Sequence, residues 1–294
     1  MFEQLKAKIF FHKMLHRPDI NKAYAMVGPE DSWYKTIKSV HDSLEQIQQL
    51  PHEILQIHSH DGLKLEGVYY PCDSCKTVIW VHGYTSHAER ESAYPGLFYR
   101  SLGFNVLIPY LRAHDRSEGK YISLGALEHK DIMHWVDKVN ALHPNGQILI
   151  HGLSMGGGIV LDLASKEMKN VRCMVSDAPT ESIAGCLKGM SHFIFKKKAD
   201  KIYPIVLEKF RKEFACDACD FDRAKTVANG RYPLLLSAGS NEKMEDFFAE
   251  VENANPKPTH TVILPGCDHG NGMYKQTQMY QDAIRELINR YMEN

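Results

Sequence analysis

After Pro51 the spacing of apolar residues changes from a helical to a strand period. Residues 52–59 (HEILQIHS) and 63–70 (LKLEGVYY) alternate apolar and polar positions around an HDG turn, which predicts a β-hairpin. Short continuous apolar runs then recur: KTVIWVHG at 76–83, FNVLIPY at 104–110, a run at 147–151, VRCMVSD at 171–177, PLLLSAG at 233–239 and HTVILPG at 260–266. Helix-compatible segments separate them: one around SAYPGLFYRSLG ending at Gly103, one over 125–142, one after Ser154 and one between the last two strands. YKQTQMYQDAIRELINRYM closes the chain as an amphipathic helix. Strands alternating with helices predict an α/β fold. Its central sheet is mostly parallel and covered by helices on both faces, with the hairpin adding antiparallel pairing at one edge.

Two segments stand outside this rhythm. Residues 1–50 read as helical and polar-rich, with apolar residues at 2, 5, 9, 10 and 14 on one face that packs on its own domain. A second helix there starts from Ser32 as N-cap. Between Asp177 and Pro233 helical patterns continue without a strand, which reads as a helical cap over the sheet. The expected organisation is an N-terminal extension over 1–50, a core in two parts over 51–180 and 231–294, and a cap insertion over 181–230.

Composition narrows the function classes. The 294 residues suffice for a sizeable core, and 35 Lys plus Arg against 36 Asp plus Glu leave a formal net charge of −1. No nucleic-acid partner and no anionic surface is implied. The Lys196–Lys198 run reads as a solvated helix end. No stretch reaches the ~20 apolar residues of a membrane span, and the N-terminal segment lacks the features of a secretory signal. Of seven cysteines, Cys72/Cys75 and Cys216/Cys219 form C-x-x-C pairs far apart in sequence. They read as reduced thiols in loops of a cytoplasmic protein rather than as a shared zinc site. A homodimer is compatible with everything above.

The chemistry concentrates at strand ends. Gly152-Leu153-Ser154-Met155-Gly156 is a G-x-S-x-G between a strand and a helix. Such a turn strains the serine backbone and leaves no room for Cβ atoms on either side, so glycines flank it. An activated serine needs a base, and His269 follows the last strand in the glycine-rich GCDHGNG. The orienting acid is expected between them. Glu242 is the first carboxylate after the strand ending near Gly239, with Glu245, Asp246 and Asp177 as alternatives. The oxyanion donors expected are the backbone N–H groups of Met155 and, in the HGYT at 82–85, of Tyr84. Gly83 allows close approach of that loop and His82 hydrogen-bonds it, while Asp115 and Asp177 are expected as loop or substrate-contact residues. Phe193, Phe195 and Tyr203 are expected as either a pocket wall or the cap's own core.

Together these residues resemble the α/β-hydrolase superfamily from about residue 52 to the C-terminus. VHGYT, LRAHDRSEG, GLSMGG, SAGSNE and GCDHG stand in that family's order, most like its bacterial esterases and serine-aminopeptidase-like hydrolases. The resemblance implies a Ser154–acid–His269 triad, a cap that shapes substrate choice, and no metal or organic cofactor. Three positions depart from the family pattern: Tyr110 stands for Asp, Asp115 for Gly, and Glu242 for Asp. The expected function is a serine carboxylesterase acting on a small-molecule ester. An aminopeptidase or amidase, a thioesterase, and a catalytically impaired scaffold used as a binding module are the alternatives.

Overall fold

The computed structural model describes residues 2–19 and 34–292; the proposed cap residue Ser32 lies outside them. In chain order the elements are α1 (Phe2–Phe10) with a π-helical turn (Phe11–Leu15), α2 (Tyr34–Gln48), β1 (Glu53–His58), β2 (Lys64–Tyr70), β3 (Lys76–Val81), α3 (Ala88–Ser101) and β4 (Asn105–Pro109). They continue as α4 (Glu128–Leu142), β5 (Gln147–Leu153), α5 (Met155–Leu163), β6 (Val171–Asp177), α6 (Ile183–Phe195), α7 (Ala199–Phe214) and α8 (Arg223–Thr226). The chain ends with β7 (Leu234–Gly239), α9 (Glu245–Ala254), β8 (Thr259–Leu264), α10 (Gly272–Lys275) and α11 (Thr277–Tyr291).

All eight strands join one sheet in the order β1-β2-β4-β3-β5-β6-β7-β8. The β1/β2 and β2/β4 pairs are antiparallel and the rest parallel. From β4 the chain crosses over β3 to β5, so the order reverses around β3. Loops leaving the carboxyl ends of β3 and β5 diverge there and open a crevice.

Alternation along β3 explains the continuous apolar run. Ile79 and Val81 join one buried cluster with Ile132 and Trp135 of α4, Ile159 of α5 and Val206 of α7. Val78 and Trp80 join another with Tyr99 of α3, Ile47 of α2 and Ile284 of α11. A strand buried on both faces has no polar side to show.

Two elements differ from the sequence pattern. In α1 and the π turn the packed residues are Ala7, Phe10, Phe11 and Leu15, whereas Leu5 and Ile9 stay 54% and 41% exposed. The π turn, with His16 N–H donating to the Phe11 carbonyl, rotates the face so that Phe11 meets Tyr121 and Phe214. The closing helix is two helices, broken at Gln276. Its carboxamide instead donates to the Pro265 carbonyl at 3.0 Å and tethers the loop after β8.

One buried cation ties α8 to α5 and to the loops at Leu124 and Thr180. Arg223 of α8 is fully buried and donates to Asp162 of α5 at 3.0 and 3.2 Å, to Thr180 O at 2.8 Å, and to Leu124 O at 3.0 Å. Removing one partner of a buried pair strands the other charge. Arg223→Met should therefore cost about 3–5 kcal/mol of unfolding free energy in urea titration. A loss under about 1 kcal/mol would put the attachment in the apolar contacts instead.

Candidate active site

β5 delivers Ser154 to the carboxyl edge of the sheet and α5 leaves immediately after it. Ser154 has φ 58° and ψ −115°, a strained backbone for any residue with a Cβ. The neighbouring chain explains the flanking glycines. A Cβ on Gly156 would sit 1.9 Å from the Val81 carbonyl oxygen of β3, and one on Gly152 would sit 2.2 Å from the Gly156 carbonyl oxygen. On the other side, Ser154 N–H donates to the Asp177 carbonyl of β6 at 2.8 Å.

His269, in the loop after β8, and Glu242, in the 3₁₀ turn after β7, complete a continuous chain with Ser154. His269 Nε2 lies 2.8 Å from Ser154 Oγ, and its Nδ1 lies 2.5 Å from Glu242 Oε2. The tautomer consistent with both bonds carries hydrogen on Nδ1, leaving Nε2 as acceptor of the hydroxyl proton. The Glu242 bond, opposed by burial, raises the His269 pKa above its ordinary value. Glu242 manages its extra methylene by curling back along the 3₁₀ turn, so that Oε1 accepts Gly239 N–H at 2.9 Å.

None of the alternative acids is hydrogen-bonded to His269. Asp177 is buried, which pushes its pKa up to about 6. Its carboxylate accepts from Ser237 Oγ at 2.9 Å and Tyr280 Oη at 2.8 Å. Tyr280 and Tyr99 in turn bracket His151 at 2.9 and 2.8 Å, a buried polar string beneath the turn. Glu245 and Asp246 are exposed at the start of α9.

The loop after β3 passes directly against the serine: a Cβ on Gly83 would lie 3.5 Å from Ser154 Cβ. Buried His82 accepts Leu111 N–H on Nε2 at 3.2 Å, so its Nδ1 donates to the Gly83 carbonyl at 2.9 Å. Burial lowers the His82 pKa to about 3 and keeps the ring neutral. Because the peptide is planar and trans, a Gly83 carbonyl turned toward His82 turns the Tyr84 N–H of the same unit the other way. Met155, as first residue of α5, has an N–H with no intrahelical partner. The Tyr84 hydroxyl reaches the Met14 carbonyl of the π turn.

Both departures in the arginine loop land on one helix end. Asp115 adopts φ 44°, the region a glycine favours, and its carboxylate accepts the Ala88 N–H of α3 at 3.0 Å. Tyr110 donates to Glu89 of the same first turn at 2.5 Å. In that loop, Glu118 accepts Lys64 N–H at 2.8 Å.

A cavity of about 290 Å³ opens at Ser154 and His269, with Ile37 and Val40 of α2, Tyr84, Leu153, Met273 and Tyr274 among its walls. A second, more polar hollow of about 520 Å³ lies beyond His269 and Glu242, bounded by Thr180, Glu181 and Cys186. Phe193, Phe195 and Tyr203 line neither. Phe193 is 79% exposed, Phe195 stacks on Phe10, and the Tyr203 hydroxyl bonds Ala184 within the helical insertion. Part of the wall comes instead from α2, through Ile37 and Val40, which local pattern did not reveal. Asn241 and Asp268, which tie the Glu242 turn to the histidine loop at 2.8 Å, were also missed; polar residues flanking each motif were the available signal. The grouping His60, Asp61 and Asp131 has the spacing of a metal site, but the Arg112 guanidinium occupies both carboxylates at 2.7–3.0 Å.

Residues 76–274 match the family model described as alpha/beta hydrolase fold. Among curated proteins, YqkD of Bacillus subtilis is 35% identical over 129 residues, covering 43% of this chain and 42% of that protein. A multifunctional-autoprocessing repeats-in-toxin protein of Vibrio cholerae is 30% identical over 114 residues, 37% of this chain and 2% of the toxin. The match thus spans less than half the length of either relative. The Pyrococcus furiosus esterase Pf2001 superposes with TM-score 0.66 at 23% identity, over 95% of this chain and 99% of that one. Est1E of Butyrivibrio proteoclasticus, solved with ferulic acid, gives 0.61 at 19% identity over 81% and 99%. A family match running from β3 through the histidine loop, on a sheet of this order, makes the chain a member of the alpha/beta hydrolase fold family.

Proposed function

We propose that the protein is a serine hydrolase that cleaves carboxylic esters with small or medium acyl groups through an acyl-enzyme. The observation that carries this reading is the unbroken Ser154–His269–Glu242 hydrogen-bond chain at the mouth of a largely apolar cavity. Ser154 Oγ attacks the ester carbonyl as His269 Nε2 takes its proton. Glu242 holds Nδ1–H and stabilises the imidazolium, and the Tyr84 and Met155 amides receive the oxyanion. His269 then protonates the departing alcohol, and water attack by the reverse path releases the acid. The helices within 181–230 form a cap beside the alcohol side, and the 1–50 extension closes the acyl side through α2.

Esters are favoured over substrates anchored by a free amine because the cavity at Ser154 is largely apolar and Asp115, Glu118 and Asp177 line neither hollow. Esterases among the structural relatives agree with this reading.

Ser154→Ala should lose on the order of 10⁶ in turnover of p-nitrophenyl butyrate, and Glu242→Ala about 10⁴. Folded wild-type protein should also be labelled at Ser154 by a fluorophosphonate. Near-native activity in the alanine variant would overturn the Ser154 assignment, whereas no labelling of the folded wild type would favour a binding module.

Catalysis needs neutral His269, whose pKa is raised above 6.5 chiefly by Glu242. As pH falls, kcat/KM should therefore decline at a pH above the ordinary histidine value. In Glu242→Gln that acid limb should move down. An unmoved limb would mean that another group controls it.

Val40→Trp should fill the α2 side of the cavity. It should lower kcat/KM for the octanoate ester about tenfold or more while leaving the acetate ester within about threefold. Equal losses on both esters would remove α2 from the acyl pocket.

A further inference from the structure

We propose that Glu91, in the first turn of α3, is the positioning residue of the oxyanion loop: its carboxylate accepts the Gly83 N–H and so directs the Tyr84 amide toward Ser154. This inference rests on the hydrolase reading above and adds a residue to it.

The geometry is specific. Gly83 N–H lies 3.0 Å from both Glu91 carboxylate oxygens, and Trp80 Nε1 of β3 lies 3.3 Å from one of them. The Ser86 hydroxyl bonds the same group. A glycine has the widest conformational range of any residue, so Gly83 needs external restraint if the next amide is to hold a fixed direction. It receives two restraints. His82 holds its carbonyl at 2.9 Å, and Glu91 holds its N–H. With both peptide units pinned, the Tyr84 N–H is preorganised before charge develops, which is where such donors gain their effect.

The helix bearing Glu91 is itself fastened. Asp115 takes the Ala88 N–H and Tyr110 bonds Glu89, the two departures from the family pattern meeting at this helix end. Glu91 also lines the cavity with Ser154 and His269. Burial, opposed by the bonds from Ser86, Gly83 and Trp80, raises its pKa to about 7. The charged and titratable groups around it are His269 across the cavity, Tyr84 and Tyr274 in its walls, Glu89 and Arg90 on its own helix, and Asp115 behind the helix start. The Glu91 charge is one of those that raise the His269 pKa.

Glu91→Gln keeps an acceptor for Gly83 N–H and Trp80 Nε1 while removing the charge. Glu91→Leu removes both. On p-nitrophenyl butyrate, with Tm recorded for each variant, Glu91→Leu should lose about 10²-fold or more in kcat with KM little changed, the scale of a lost oxyanion donor. Glu91→Gln should retain kcat within about threefold of wild type, because its amide oxygen still accepts the Gly83 N–H. A Glu91→Leu protein that folds and keeps its kcat would overturn the proposal. If Glu91→Leu does not fold, Glu91→Gln decides alone: a folded variant as slow as a lost donor overturns it. Wild-type turnover abolished by Ser154→Ala tests the hydrolase reading separately, and absence of that turnover overturns both.

Discussion

The site depends on one crowding constraint: three adjacent strands bring their backbones together around Ser154 more closely than any Cβ allows. Val81 of β3 presses on Gly156, and Asp177 of β6 takes the Ser154 N–H. The serine backbone is held in a strained region because its neighbours leave no other course. Beneath it, Asp177, Tyr280, His151 and Tyr99 satisfy one another's polar groups in sequence. A buried string of this kind is costly if broken and rigid if complete, so it forms a firm floor for the strained turn.

Much of this was legible because it is local. A parallel strand buried on both faces reads as a continuous apolar run, and all eight strands fall where such runs or the hairpin alternation stand. Gly152, Ser154 and Gly156 carry their own steric reason within five residues. His269 and Glu242 were reachable because each follows a strand end, and strand ends of a parallel sheet converge on one edge. What stayed hidden is long-range. Nothing near Ile37 or Val40 says that α2 folds across the crevice, and nothing near Glu91 says that its carboxylate turns back onto Gly83. The apolar face of the N-terminal helix was misassigned in part: Leu5 and Ile9, counted on it, stay exposed, while Ala7 and Phe11 pack instead.

The departures at Tyr110 and Asp115 illustrate the difference between a motif and its physics. Viewed only as motif positions they are losses, a missing carboxylate and a missing glycine. In the fold, Asp115 takes up the left-handed backbone that glycine would favour and uses its side chain to cap α3, while Tyr110 reaches the same first turn. A helix N-terminus with its orphan amides satisfied is a fixed platform.

The electrostatics of the proposed reaction follow from what surrounds His269. Glu242 on one side and Glu91 on the other both raise its pKa, favouring the imidazolium formed when Ser154 gives up its proton. The same anions disfavour negative charge on the substrate oxygen, so the oxyanion needs donors that outweigh them at short range. In the proposed reaction two backbone amides do so: that of Tyr84, whose peptide unit is fixed through the Gly83 carbonyl, and that of Met155 at the start of α5, where the helix field favours an anion. The Glu91 carboxylate is itself occupied, accepting the Gly83 N–H and the Trp80 indole N–H. Thus one carboxylate can support the imidazolium and hold the oxyanion donor in place.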